Sequence, residues 1–347
     1  MTGARPLLIV NPSSGKMAGG RWLARFAAAV ERVLGDVDFE LTARRGHATD
    51  LARRAAGEGR ETIVAVGGDG TLNEVVNGVM QARQAAGGAG APAPPAPGSP
   101  APTAGGPRVG VIGLGTGGDF GGSLGIGGRL DDYLGVLAGG RTRAIDLLRV
   151  GFPDHAGEAC ERYVVNVLSA GPGGLVDRYV EKIPRRAGGR LSYGLAAVWA
   201  LAQCPRARLR LRLAGLAGHE PGEVVEREVS TYLLGLCNGA VFGGGMRLAP
   251  TAVPDDGLLD VVSIATDSKW TVVCNLPKVY RGRHLSVPGV ELMRCRGIEV
   301  ELLDSSAAAR FALDLDGEPL GRLPLRAELL PAALAMLAPA PTAAPEA

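Results

Sequence analysis

The 347-residue chain has no apolar run approaching the roughly 20 residues that a membrane-spanning helix needs. Its longest candidate, Leu191 to Cys204, reads as a buried or interfacial helix. The opening stretch Met1 to Val10 is too short in its apolar part for a signal peptide and reads as a first β-strand. Paired cysteines are missing too. Cys160, Cys204, Cys237, Cys274 and Cys295 are scattered, odd in number and without a CxxC spacing. That argues against a disulfide framework or a zinc site and fits a reducing cytosol. The net charge is only +2, so no global basic field points to nucleic acid. The dense patch Arg206 to Arg212 alternates as a strand does, which suits a charged, solvated face.

What the chain does have is length enough for two domains and a hydrophobic fraction of 46% to fill their cores. Its most informative stretch is Val66-Gly-Gly-Asp-Gly-Thr-Leu-Asn-Glu74. Three glycines surround one carboxylate directly after the apolar run Thr62 to Val66, and a helix is expected from Leu72. Such a turn lets backbone N–H groups approach an anion at a helix N-terminus. An aspartate there would repel phosphate unless a cation stood between them. The expectation is a nucleotide site in which Asp69 acts through Mg²⁺, directly or through water. The bland alternative is a glycine-rich turn that binds no phosphate.

The order of elements implies a parallel α/β domain over residues 1–143. Strands are expected at Leu7–Val10, Asp38–Thr42, Thr62–Val66 and Val109–Ile112, with helices at Gly20–Leu34, Ala48–Ala56, up to Arg83 and Asp131–Leu137. Ligands in such sheets bind at the carboxyl ends of the strands, where Asn11-Pro12 and Gly67-Gly68-Asp69 fall. Residues 85–106 are almost entirely Ala, Gly and Pro and read as a disordered insertion. From 144 to 321 the pattern becomes β-rich and antiparallel. Strands are expected at Ala144–Val150, Arg162–Leu168, Arg206–Leu213, Glu226–Cys237, Leu258–Ile264 and Gly297–Leu303. Residues 322–338, with a helix at Pro331–Leu337, are expected to return to the first domain. The tail 339–347 reads as disordered.

Five stretches in order carry a family likeness. They are Asn11-Pro-Ser-Ser-Gly-Lys16, Val66 to Gly78, Gly113-Leu-Gly-Thr-Gly-Gly-Asp-Phe120, Ala249 to Asp260, and Asp316-Gly-Glu318. Together they resemble the diacylglycerol kinase catalytic family, which includes bacterial lipid kinases and sphingosine kinases. Two departures stand out: Gly113 replaces the usual proline and Gly118 the usual asparagine. The resemblance implies ATP-dependent phosphorylation of a lipid hydroxyl, with the nucleotide between the domains.

Roles follow along the same positions. Asn11, Pro12, Ser13, Ser14 and Gly15 would contact the nucleotide, and Lys16 could add a cation. Thr42 matches a position where the family contacts ATP. Gly68, Asp69, Gly70, Thr71 and Leu72 would cradle phosphates, Asn73 and Glu74 would buttress that turn, and Thr116 would take a phosphate oxygen. Asp69, Asp119 and Asp146 are candidates for a Mg²⁺-and-water network. Glu318 is the favoured acceptor of the substrate proton, with Asp69 as the competing base. By resemblance to bacterial members, Asp256 and the carbonyls of Val253 and Leu258 would hold a structural Mg²⁺. A lipid substrate at a membrane surface is the expected partner. The basic stretch Lys182 to Leu191 before the helix at Ser192 could dock on a membrane or pack internally. Exposed sheet edges could pair two copies. A cytoplasmic, peripherally membrane-associated lipid kinase is therefore expected. The alternatives are a kinase of another lipid or soluble alcohol, and a non-catalytic nucleotide sensor.

Overall fold

The structure is a computed structural model that describes residues 5–14, 20–87, 106–114, 118–174, 176, 189–220, 222–304, 307–308 and 310–340. The chain forms two compact units. One comprises residues 1–147 and 330–347, the other residues 148–329.

In the first unit, β1 (Leu7–Val10), α1 (Gly20–Leu34), β2 (Asp38–Leu41), α2 (His47–Gly57), β3 (Thr62–Gly67), α3 (Asp69–Ala85) and β4 (Arg108–Gly113) alternate in order. They are followed by α4 (Asp119–Ser123), α5 (Leu130–Gly139) and the start of β5 (Thr142–Pro153). The strands lie parallel in the order β2-β1-β3-β4. β1 and β3 are buried along their whole length, as expected of a parallel sheet covered by helices. Register decides where the site can form. Leu41, Val10, Val66 and Ile112 stand level across the sheet, so the residues after them make one row at its carboxyl edge. The ladder continues into that row: Thr42 donates to Val10 (2.9 Å), Asn11 to Val66 (2.9 Å) and Leu114 to Gly67 (3.0 Å). α2 and α3 pack so closely that a Cβ at Gly78 would stand 2.3 Å from the Thr49 carbonyl oxygen.

The second unit is antiparallel. It contains β6 (Ala159–Val164), β7 (Val167–Gly171), α6 (Gly189–Gln203), β8 (Ala207–Ala214), β9 (Val224–Thr231), β10 (Leu233–Cys237) and β11 (Leu259–Ile264). After them come α7 (Lys269–Tyr280), β12 (Val290–Cys295), β13 (Gly297–Leu302), β14 (Ala312–Leu315), β15 (Glu318–Arg322) and the first part of β16 (Leu325–Leu337). One sheet runs β12-β11-β10-β7-β14-β15. The other places β13 between β8 and the first part of β16, with β9 beyond β8. One apolar cluster is shared by both sheets: Leu209, Leu211 and Leu213 from β8 meet Leu168, Leu236, Val261 and Leu313. The alternate residues of β8 face solvent. There Arg208 pairs with Glu228, Arg210 with Glu226 and Glu301, and Arg212 with Glu299.

Several elements differ from the sequence reading. Residues 331–337 are strand, not helix. Residues 325–328 pair with β13, and Met336 then pairs parallel with Val109 of β4 in the first unit. Leucine and alanine favour a helix there, but strand pairing prevails, with a left-handed residue at Ala332 (φ 52°) absorbing the bend. The expected strand Glu226–Cys237 is two strands, β9 and β10, in different sheets, and the expected strand Arg162–Leu168 breaks at Val165-Asn166. α3 begins at Asp69 rather than Leu72 because an aspartate suits a helix's first turn. α7 lies in a stretch to which the sequence reading assigns no particular element. Of the expected disordered insertion 85–106, Ala85 ends α3 and residues 88–105 lie outside the described residues, as do the tail beyond 340 and the basic residues 182–188.

Candidate active site

At the carboxyl edge of the first unit's sheet, Gly68 is the N-cap of α3 and no side chain caps it among the described residues. The first-turn N–H groups of a long helix thus face the row of strand ends, an arrangement suited to an anion. Glycine is required beside it, because a Cβ at Gly67 would stand 2.4 Å from Thr71 Oγ1. Asn11 joins the neighbouring turn to this one. Its Nδ2 donates to Thr71 Oγ1 (3.2 Å), while its Oδ1 accepts from Ser13 N (3.0 Å) and its carbonyl from Ser14 N (3.1 Å). Pro12 and Ser13 are exposed beside it, and Thr42 lies in the same row. Gly15, Lys16 and Thr116 fall outside the described residues.

Asp69 joins two loops. Its Oδ2 accepts from Gly118 N (3.0 Å) and Asp119 N (3.1 Å), and its Oδ1 accepts from Phe120 N (3.1 Å). The carboxylate therefore fixes the start of α4 and ties the second glycine-rich loop to the first. A carboxylate has about four acceptor directions, so roughly one remains, on Oδ1, for a water or a metal-bound water. Asp119 sits in the first turn of α4, joined to Asp69 through its backbone.

Both departures in this loop have a local explanation. Gly118 is left-handed (φ 89°), a conformation that asparagine also tolerates better than most residues. A Cβ at Gly113 would stand 2.5 Å from Tyr133 Oη, as would one at Gly121. Tyr133, buried on α5, thus occupies the space that a proline at 113 would need. Burial pushes the Tyr133 hydroxyl up to about 12, with Asp69, Asp119 and Asp132 adding to the shift, so it stays neutral.

Glu74 buttresses a different element from the one expected. Its Oε1 accepts from Gly46 N (2.8 Å) and its Oε2 from Ala48 N (3.0 Å), so it caps α2, not its own turn. Asn73 is buried and accepts from Asn77 Nδ2 (2.9 Å to its carbonyl). Asp146 is also buried, and its Oδ1 accepts from Ala332 N (2.7 Å), holding the bend in β16.

In the second unit, Asp316 and Gly317 both have positive φ (51° and 85°) and close the β14–β15 hairpin as an Asp-Gly turn. Asp316 is buried. Its Oδ2 accepts from Val165 N (2.8 Å) and its Oδ1 from Asn166 N (3.0 Å) and Val167 N (2.9 Å). The sequence reading singles out Glu318 of this motif and gives Asp316 no role. The structure engages Asp316 on backbone and leaves Glu318 half-buried at the hairpin exit. Two residues that the sequence reading misses complete this knot. Asn166 Nδ2 donates to the Val241 carbonyl (2.8 Å), and Asn238 Nδ2 donates to the Val165 carbonyl (2.8 Å). The Asn238-Gly239 pair at a strand end is the available signal.

The expected metal loop is paired with a cationic side chain. Arg294 bonds one oxygen of Asp256 and, through Nε, Asp260 Oδ1 (2.7 Å), while Leu258 N donates to Asp256 Oδ1 (3.0 Å). Burial raises the Asp256 carboxyl, opposed by the Leu258 amide and Arg294. The Asp256 carboxylate that the resemblance assigns to a structural Mg²⁺ is thus engaged by the Arg294 guanidinium and the Leu258 amide. No group of three His, Cys, Asp or Glu side chains able to hold a metal occurs among the described residues, and no described helix is long and apolar enough to cross a membrane.

Comparison with known proteins gives two successive family matches along the chain. The family model of the diacylglycerol kinase catalytic domain matches residues 5–150. That of the YegS C-terminal NAD kinase beta sandwich-like domain matches residues 166–338. The chain is 26% identical over 320 residues to a diacylglycerol kinase of Staphylococcus carnosus (strain TM300), covering 92% of this chain and 90% of that one. It is 27% identical over 320 residues to one of Staphylococcus aureus (strain bovine RF122 / ET3-1), covering 92% and 88%. A crystal structure of a diacylglycerol kinase from Bacillus anthracis str. Sterne shares the fold, with a TM-score of 0.64 at 18% identity, covering 98% of each chain. Residues 5–150 thus carry a diacylglycerol kinase catalytic domain and residues 166–338 the YegS-type C-terminal domain, which makes the chain a lipid kinase of the diacylglycerol kinase type.

Proposed function

We propose that this lipid kinase transfers the γ-phosphate of ATP to the free hydroxyl of diacylglycerol, giving phosphatidic acid. The observation that carries the reading is the Asp69 carboxylate, which joins two glycine turns beside the uncapped N-terminus of α3. Phosphoryl transfer asks for positioning and charge neutralisation more than covalent chemistry. The α3 amides and the Asn11 turn supply donors for the phosphates. Asp69 and Asp119 are the residues that would hold Mg²⁺, Asp69 through its remaining acceptor direction; the ion supplies neutralisation of phosphate charge. Asp256 is given no part in this.

Glu318 accepts the hydroxyl proton as the acceptor oxygen bonds to the γ-phosphorus and the bond to the ADP oxygen breaks. Asp69 is set aside as the base because backbone amides take most of its acceptor capacity. The glycines at 113 and 118 are the only hint of a non-catalytic sensor, and Tyr133 and a left-handed backbone account for both.

The test is transfer of labelled γ-phosphate in mixed micelles with Mg²⁺ to a panel of diacylglycerol, a sphingoid base and NAD. Labelled phosphatidic acid is expected. Label on another acceptor alone replaces the substrate, and no lipid product despite ATP binding sinks the proposal.

A further inference from the structure

α7 is held to the second unit by one face and leaves the other to solvent. Val279 is buried, and Val272 packs on the cluster of Leu248, Val262 and Ile264. Trp270, Cys274, Pro277 and Arg281 follow at spacings of four, three and four, which aligns them as one stripe, and all four are exposed. Trp270 is 73% exposed, more than any other large hydrophobic side chain among the described residues. Next comes Trp199 of α6 at 58%. The two helices are joined where these residues lie, since Lys269 Nζ donates to the Ala202 carbonyl (2.8 Å).

Charge along the helix and the turn after it has one sign. Between Asp267 and Glu291 the sequence contains no acidic residue. Lys278, Arg281 and Arg283 are exposed there, and exposed Arg247 lies against Gly282 at the same end of the helix. The arginines of β8 are different, because each meets a glutamate on a neighbouring strand.

We propose that this face of α7 docks the protein onto an anionic lipid bilayer, with Trp270 entering the interface and Arg247, Lys278, Arg281 and Arg283 lying over the headgroups. Tryptophan favours the boundary between water and acyl chains, and cations within a Debye length are drawn to an anionic leaflet. An amphipathic helix of this kind lies in the interface plane without crossing it. The biological purpose of such docking rests on the lipid-kinase reading, since the acceptor is delivered in a membrane. The binding itself requires no turnover.

The experiment is co-sedimentation of the full chain with vesicles of phosphatidylcholine, with and without phosphatidylglycerol. Wild type, Trp270→Ala and the triple variant Lys278→Gln/Arg281→Gln/Arg283→Gln are compared, with thermal unfolding as the folding control. The proposal predicts binding that needs phosphatidylglycerol. It predicts a loss of roughly tenfold for Trp270→Ala and of roughly a hundredfold for the triple variant. Both variants should keep wild-type turnover of diacylglycerol in neutral detergent micelles. Unchanged vesicle binding in both folded variants overturns the docking surface and leaves the kinase reading standing. Loss of binding in a protein that phosphorylates no lipid supports the surface and removes the kinase reading. If Trp270→Ala instead abolishes a dimer seen without vesicles, the face is a self-association surface and the proposal fails.

Discussion

Four carboxylates, three of them in the family-like stretches, share one use. Asp69, Glu74, Asp146 and Asp316 each accept backbone N–H groups from a segment far away in sequence. The motif reveals that a carboxylate is wanted, but a linear pattern does not name the amides it will receive. That is why sequence alone sets Glu74 against its own turn and gives Asp316 no partner. The same scale explains Gly113. Its Cα approaches Tyr133, a residue 20 positions later whose relevance no local spacing could show. Gly113→Ala should destabilise the first unit by about 1–3 kcal/mol in urea unfolding. Tyr133→Phe, which removes the hydroxyl oxygen, should recover part of that loss in the double variant. Strict additivity of the two changes would contradict the contact.

Elements whose pattern is local were legible. β1, β3 and α1 announce themselves by apolar runs or helical spacing, and the antiparallel second unit by alternation. Elements decided by tertiary partners were not. β16 has the composition of a helix but is claimed by β13 and β4, and β9 and β10 read as one strand because the switch between sheets at Tyr232 leaves no break in composition. Close helix packing is likewise invisible in sequence except as a glycine. Gly78→Ala would drive a methyl against the Thr49 carbonyl at 2.3 Å and Ala52 Cβ at 2.8 Å. Because one obstacle is backbone, the α2–α3 pair must move. The expected cost is about 2–3 kcal/mol, read as a lowered urea midpoint with an unchanged slope; a neutral effect would show that the pair separates freely.

At the scale of the whole molecule, stability should carry a pH signature from His284. It is buried in the turn His284–Ser286, and its Nε2 lies 2.9 Å from the Leu248 carbonyl. Burial lowers its pKa below 6.5, outweighing the carbonyl, which raises it. The unfolded chain therefore binds the proton more readily. The stability held by neutral His284 is complete above the ordinary value and is lost as the pH falls through the lowered folded value. Wild type should lose more melting temperature than His284→Gln between about pH 7.5 and about pH 5.5. Equal losses would clear His284 of the effect.

The central claim gives two carboxylates separate roles. In the proposal, Asp69 would build the nucleotide turns and Glu318 would take the acceptor proton. The most direct measurement is turnover of diacylglycerol beside ATP affinity in Glu318→Gln, with Asp69→Ala as the contrast. The account predicts that Glu318→Gln loses roughly 10²–10⁴-fold in kcat while ATP affinity and melting temperature stay at wild-type values. Asp69→Ala should lose ATP affinity and about 3 kcal/mol of stability together, through its unpaired loop amides. Wild-type turnover in Glu318→Gln, or a stable Asp69→Ala that still binds ATP, would contradict the assignment.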